Sequence, residues 1–121
     1  PLSPLQEGLL FHALYDDEGT DVYTVQTSLD LDGALDTALL RRAAQALLDR
    51  HANLRAAFRR TRGGTTVAAI PRRVALPWTE HDLTGLPEEA RRTETDRIET
   101  ADRTLRFATD RPPLLRMTLV R

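Results

Sequence analysis

The spacing of apolar residues switches repeatedly between a period near four and a period of two, and each switch marks a predicted element. Ser3 is placed as an N-cap with Pro4 at the first helical position and Gln6 reaching back, so a helix is expected to about Leu14 or Tyr15. Leu5, Leu9 and His12 follow the i, i+4, i+7 spacing and mark its apolar stripe. Asp16 to Asp21 reads as an acidic loop turning at Gly19. From Val22 to Asp32 the alternation is clean, with Tyr23, Val25, Thr27, Leu29 and Leu31 on one side and Thr24, Gln26, Ser28, Asp30 and Asp32 on the other. A half-buried strand is predicted there, ended by Gly33.

Asp36 then caps a helix running to Arg50, whose stripe of Leu39, Leu40, Ala43, Ala44, Leu47 and Leu48 is wide enough to lie on a sheet. At His51 to Phe58 the period changes to two, predicting a helix-to-strand corner. Leu54, Ala56 and Phe58 point one way, toward a core, and Arg55, Ala57 and Arg59 the other, where the guanidinium groups are expected to meet something polar. Gly63-Gly64 predicts a hairpin turn into a strand over Thr65 to Ile70. Pro71 and Pro77 interrupt the next stretch, where a short edge strand is expected between Val74 and Leu83 with Trp78 as a packing anchor. Pro87 opens a long polar helix marked by Ala90, Ile98, Ala101 and Leu105 on its inner side. Pro112-Pro113 resets the chain for a final strand from Leu114 to Val120, apolar on both faces and therefore expected to need neighbours on either side.

Composition narrows the function classes. At 121 residues the chain is one domain or part of one, long enough to bury roughly two-thirds of its unfolded surface. No stretch is apolar enough for a membrane span and no leader pattern opens the chain, so a cytoplasmic location without membrane partners is expected. The absence of cysteine excludes disulfides and thiolate metal sites. The net charge of −1 conceals a segregation. Asp16, Asp17, Glu18, Asp21, Asp30, Asp32 and Asp36 share a stretch without arginine, whereas Arg50, Arg55, Arg59, Arg60, Arg62, Arg72 and Arg73 share one without an acid before Glu80. An acidic overall balance with few aromatics argues against nucleic acid as a partner.

No reactive constellation is complete. His12, His51 and His81 lack ligand spacing, so no metal is expected. Ser3 and Ser28 lie outside any GxSxG pattern. His81 and Asp82 are sequence neighbours in a predicted strand and point to opposite faces, which makes them surface residues rather than an acid-base pair. Arg50 and His51 fall in a last helical turn, where positive side chains are favoured on structural grounds alone.

Three stretches, in order along the chain, resemble the condensation domains of nonribosomal peptide synthetases. Ser3-Pro4-Leu5-Gln6-Glu7-Gly8-Leu9-Leu10-Phe11-His12 is similar to their first core motif, and Arg50, His51, Leu54, Arg55 and Phe58 match the wording RHxxLRxxF of the second. Phe107 with Pro113-Leu114-Leu115-Arg116 resembles the approach to the catalytic strand. The first motif departs from the commoner SxAQ wording and looks more like domains that take a D-configured donor or also epimerise it.

The resemblance implies an α/β (α+β) fold: an incomplete chloramphenicol acetyltransferase-like lobe, a mixed sheet with helices packed on it. It places residues 1–121 in the first part of the N-terminal lobe, ahead of the HHxxxDG signature and without the C-terminal lobe. The implied function of the parent is amide-bond formation between aminoacyl and peptidyl thioesters, an acyltransferase reaction of secondary metabolism; the segment alone is expected to be inactive. No cofactor is expected to bind directly, the substrates being carried on the phosphopantetheine of carrier proteins. Those carriers, the rest of the domain and adjoining synthetase domains are the implied partners. By the same resemblance Arg55 and Arg50 support the catalytic loop, while His12 and Gln6 line the donor tunnel. Two other implications stay open: a noncatalytic relative that recruits a carrier protein or tailoring enzyme, with the arginines meeting an acidic surface, and an epimerisation domain of the same fold.

Overall fold

A computed structural model describes residues 2–15 and 23–121. The acidic loop expected at Asp16 to Asp21 therefore lies outside the described residues. Helix α1 spans Pro4–Tyr15. Its start is the reciprocal cap expected from sequence, with Ser3 N donating to Gln6 Oε1 at 2.9 Å and Gln6 N to Ser3 Oγ at 3.3 Å. The predicted stripe is corrected: Leu2 and Leu10 are buried, while Leu5 and Leu9 are exposed. Apolar residues surround this helix, so spacing alone does not select the face that is covered.

Helix α2 covers Thr37–Arg50, and Asp36 Oδ1 accepts from Leu39 N at 2.9 Å as its N-cap. Its covered line is Ala44 and Leu48, one helical turn apart, and Leu48 is fully buried. Leu39 and Leu47 remain exposed, so the stripe is narrower in use than in sequence. Burial of a leucine side chain of this kind contributes about 1.5–3 kcal/mol.

Strands β1 (Ala57–Arg60) and β2 (Thr66–Ala69) form an antiparallel hairpin in the register Ala57 to Ala69 and Arg60 to Thr66. Gly64 takes φ 84° in its turn, a region that favours glycine. Strand β3 (Trp78–His81), helix α3 (Glu88–Thr104) and strand β4 (Met117–Val120) make a parallel crossover unit, with Trp78 opposite Met117 and His81 opposite Val120. The expected mixed sheet thus takes the form of two separate two-stranded sheets among the described residues.

The two faces of the β3–β4 pair fix the layers. Trp78 and Met117 pack with Val74 and Leu115 on the cluster of Ala44, Leu48 and Leu76, so α2 covers one face. Thr79, His81 and Thr118 face Ile98 and Ala101 of α3, and Leu105 just past its end, across a cleft of about 230 Å³. Of the residues expected to mark the inner side of α3, only Ile98 is buried. The cleft, lined partly by threonine and charged side chains, keeps that layer from closing.

The strand expected over Val22 to Asp32 is the largest departure. Tyr23 to Asp32 carries no assigned strand, and Val25 and Leu29 are 87% and 79% exposed. Its polar side faces the protein instead: Gln26 Nε2 donates to Glu99 O at 2.9 Å, and Ser28 Oγ to Glu99 Oε1 at 2.7 Å. A period of two reports which residues share a face, but not which face is covered.

Candidate functional site

A helix ends with carbonyls that lack helical donors. At the end of α2, Leu47 O accepts from His51 N at 3.1 Å. The next two carbonyls belong to Arg55: its Nη1 donates to Leu48 O at 2.7 Å and to Asp49 O, while Nε donates to Pro71 O at 3.0 Å. Arg55 is 9% exposed and is the one buried charged residue among those described. Its Nη2 makes no hydrogen bond among the described residues.

A 3₁₀ turn over Ala52–Arg55 brings the guanidinium there. Leu54 N bonds to His51 O at 3.1 Å and Ala56 N to Asn53 O at 3.2 Å, so the strand does not begin until Ala57. This corrects the predicted facing of the corner. Arg55 and Ala57 are turned inward, whereas Leu54 is exposed. Three-residue turns advance side chains differently from a strand, and the period-two reading of this stretch had no room for one.

Beside Arg55, the segment after β2 is held against α2 by a side chain that sequence reasoning did not single out. Gln45 Nε2 donates to Val74 O at 2.9 Å and Gln45 Oε1 accepts from Leu76 N at 2.8 Å, so one amide pairs with the segment as a strand residue would. The same Nε2 reaches Asp49 Oδ1 at 3.1 Å. A shallow cleft of about 570 Å³ lies between Gln45, Asp49, Arg72 and Arg73.

A second polar cluster ties α3 to its surroundings. Asp102 Oδ1 pairs with Arg116 Nε at 2.7 Å, and Oδ2 accepts from Gln26 Nε2 at 3.3 Å. Arg116 Nη2 also donates to Leu105 O at 2.9 Å, and its guanidinium lies 4.3 Å from the Phe107 ring centroid. Phe107 and Arg116 belong to the third stretch singled out in the sequence; Asp102, one acid of a polar helix, carried no signal.

The remaining predicted site residues are dispersed. Arg50 is the exposed last residue of α2. His12 is exposed, with its ring 5.9 Å from Phe11 and 6.0 Å from Tyr23. Gln6 is committed to the cap of α1. No hydrogen bond joins either to Arg50 or Arg55 among the described residues.

His81 is half-buried in the cleft against α3 rather than on the open surface, and Asp82 turns away to accept from Thr84 Oγ1 at 2.6 Å and Thr84 N at 3.1 Å. The Thr84 hydroxyl and N–H, with the charge of Arg121, hold the Asp82 carboxyl below its ordinary pKa. The Arg97 hydrogen bond does the same for Glu94. Among the described residues no cluster of three or more His, Asp or Glu side chains is arranged for a metal ion, and no helix is long and apolar enough to cross a membrane.

Comparison with known proteins gives a consistent outcome. The family model described as Condensation domain matches residues 1–121. A linear gramicidin synthase of Brevibacillus parabrevis is 36% identical over 121 residues, which is 100% of this chain and 2% of that protein. Gramicidin S synthase 2 of Brevibacillus brevis is 30% identical over 118 residues, 98% of this chain and 3% of that protein. Among solved structures, the first condensation domain of the calcium-dependent antibiotic synthetase, in complex with a substrate analogue, superposes with a TM-score of 0.75 at 23% identity. That match covers 99% of this chain and 28% of the other.

Proposed function

The chain belongs to the condensation-domain family of nonribosomal peptide synthetases, and from that premise we propose that it forms the first part of the N-terminal lobe of a domain that joins carrier-bound thioesters through an amide bond. In this reading the acceptor amine attacks the donor thioester carbonyl, the thiol of the donor carrier leaves, and an amide replaces the thioester. Substrates arrive on the phosphopantetheine arms of peptidyl and aminoacyl carrier proteins, from synthetase domains that adjoin this one in the cytoplasm. The HHxxxDG signature that handles the amine proton is not among these 121 residues, so the segment contributes support rather than reacting groups.

The observation that carries this reading is Arg55. Nη1 is fixed by two backbone carbonyls at the helix end and Nε by Pro71 O in the segment after β2, and the third nitrogen, Nη2, is left over at a position held by those bonds. Such a nitrogen is suited to a carboxylate on the catalytic loop, and the aspartate of HHxxxDG is the group proposed. Arg50, one residue before the cap, adds positive charge to the same helix end, and His12 with α1 lines the donor entrance.

The test is single-turnover condensation by the complete domain with two loaded carriers, the product read by mass spectrometry. Arg55→Ala is expected to lower the rate at least about 100-fold in protein that still shows native circular dichroism, since one positioned charged hydrogen bond is worth about 2–3 kcal/mol. A folded variant with parental turnover would overturn the role given to Arg55. Absence of condensation by the parent domain itself would overturn the reading.

A further inference from the structure

The hydrogen bonds at the end of α2 close into a ring. Arg55 Nη1 donates to Asp49 O, the Asp49 carboxylate accepts from Gln45 Nε2, and the same Nε2 donates to Val74 O. Earlier in that segment Pro71 O accepts from Arg55 Nε, which completes the circuit. Gln45 and Asp49 are one helical turn apart, so both side chains stand on the same face of α2. The Gln45 amide has one usable orientation. Turned over, its oxygen would meet Val74 O and the Asp49 carboxylate, and its NH₂ group would meet the Leu76 N–H that Oε1 accepts from at 2.8 Å.

The hairpin brings Pro71 to Arg55. Ala57 pairs with Ala69, and continuing that register by two residues on each side sets Arg55 opposite Pro71. The backbone ladder stops short of that pair: from Pro71 to Leu76 no backbone group bonds to another backbone group among the described residues. A side chain joins Arg55 to Pro71 where two strands would be joined by their backbones. Arg72 and Arg73 beyond it are exposed, and the next anchor is Gln45, which holds Val74 O and Leu76 N. Val74 lies three residues past Pro71, which is roughly 10 Å of extended chain.

A guanidinium is planar, its N–H groups point in fixed directions, and Nε and Nη2 share one edge of it. Nη1 of Arg55 is pinned to α2 through Leu48 O and Asp49 O. That contact alone leaves the plane free to turn about Nη1 as far as the side-chain torsions allow. The bond from Nε to Pro71 O fixes the plane, so the Nη2 edge faces where the place of Pro71 O relative to α2 directs it. Val74 and Leu76 also pack on Ala44 and Leu48 of α2. Apolar contact is non-directional and keeps the segment close. The two bonds of the Gln45 amide, to atoms two residues apart, decide where along the helix it is held.

We propose that Gln45 is a positioning residue for condensation: by clamping Val74 and Leu76 to α2 it fixes Pro71 O, and through Pro71 O the direction in which Arg55 Nη2 faces. The role rests on the proposed reading in which Nη2 meets the carboxylate of the catalytic loop. Gln45 makes no hydrogen bond to Arg55 itself, so its effect reaches the guanidinium through the chain between Val74 and Pro71. Asp49 supports both ends of this linkage, its carboxylate orienting the Gln45 amide while its carbonyl receives Arg55 Nη1.

The complete condensation domain carrying Gln45→Met tests it, since methionine keeps the length and helix preference of the side chain while removing all three bonds. Two readouts are compared with the parent. One is the Arg55 Nε–H signal in a ¹H–¹⁵N spectrum, recognised by its absence from Arg55→Lys; the other is the single-turnover rate with saturating loaded carriers. The Nε–H is expected to shift and to exchange with water at least about 10-fold faster. The rate is expected to fall about 10-fold, within the roughly 100-fold that an ångström of misplacement costs. In an Arg55→Ala background, adding Gln45→Met is expected to change the rate by less than about twofold, because the residue it acts through is gone. A role confined to stability lowers the urea midpoint but leaves the Arg55 signal and the rate of folded protein at parental values, and that result overturns the proposal. So does an undiminished further loss in the Arg55→Ala background, which routes Gln45 through some other group. Parental turnover by Arg55→Ala itself overturns the reading of Arg55, and the part of Gln45 in the reaction with it. A slow Arg55→Ala beside a parental Gln45→Met rate overturns this inference alone.

Discussion

Replacing Arg55 by alanine removes the group that closes the end of α2, and the structure allows the cost to be worked out. The bond from Nη1 to Leu48 O is buried, so its loss strands a carbonyl that water does not reach, a penalty of about 1–3 kcal/mol. Asp49 O and Pro71 O are only partly buried and are rehydrated at a smaller cost. Loss of a positive charge from the helix C-terminus adds about 0.3–1 kcal/mol. The expected total is about 3 kcal/mol. Arg55→Lys retains the charge but replaces a fork with one point donor, so roughly half of that loss is expected. The assay is urea unfolding of the complete domain followed by circular dichroism, with an unchanged slope required so that the midpoint reports stability. Leu48→Ala serves as the internal standard at about 2–5 kcal/mol, because Leu48 is fully buried. If Leu48→Ala shows that cost while Arg55→Ala lies within about 0.5 kcal/mol of the parent, the three carbonyl contacts do not hold the corner and the reasoning fails.

Gln45→Ala deletes the amide that pairs with Val74 O and Leu76 N and is expected to cost about 1–2 kcal/mol in the same unfolding assay; a parental midpoint would show that burial of Leu76 alone holds the segment. Asp82 provides a pH test. Its folded pKa is depressed, chiefly by the Thr84 hydroxyl, so its contribution to stability is present above the unfolded carboxylate pKa and is lost as pH falls through the folded value. Thr84→Val is expected to move the Asp82 titration upward in a carboxyl NMR experiment between about pH 2 and 6, and an unmoved titration would remove Thr84 as the cause.

Much of the fold was legible in local sequence because its signals are local. Asp36 caps α2, Ser3 and Gln6 cap α1, and Gly63-Gly64 turns the hairpin, each through contacts spanning only a few residues. The family resemblance was legible for a related reason: its motifs are short runs whose spacing survives in one chain. The candidate site was only half legible. Arg55 was marked by its motif, but its facing was misjudged, because a turn of 3₁₀ geometry replaces the first residues of the expected strand. Gln45 and Asp102 escaped notice since each acts on residues distant in sequence, and a polar residue on a helix looks the same whether it meets water or a passing backbone.

By itself the sequence determined where helices start and stop, where the chain turns, which residues share a face, and the family to which the chain belongs. Those properties follow from backbone sterics, hydrogen bonds within a few residues, and the two side-chain periods. Tertiary structure alone decided which of two alternating faces is covered, and for residues 23–31 it turned the polar one toward α3. Burial depends on what else occupies the space, and at that edge a polar helix supplies hydrogen-bond partners to Gln26 and Ser28 while nothing among the described residues covers Val25 or Leu29.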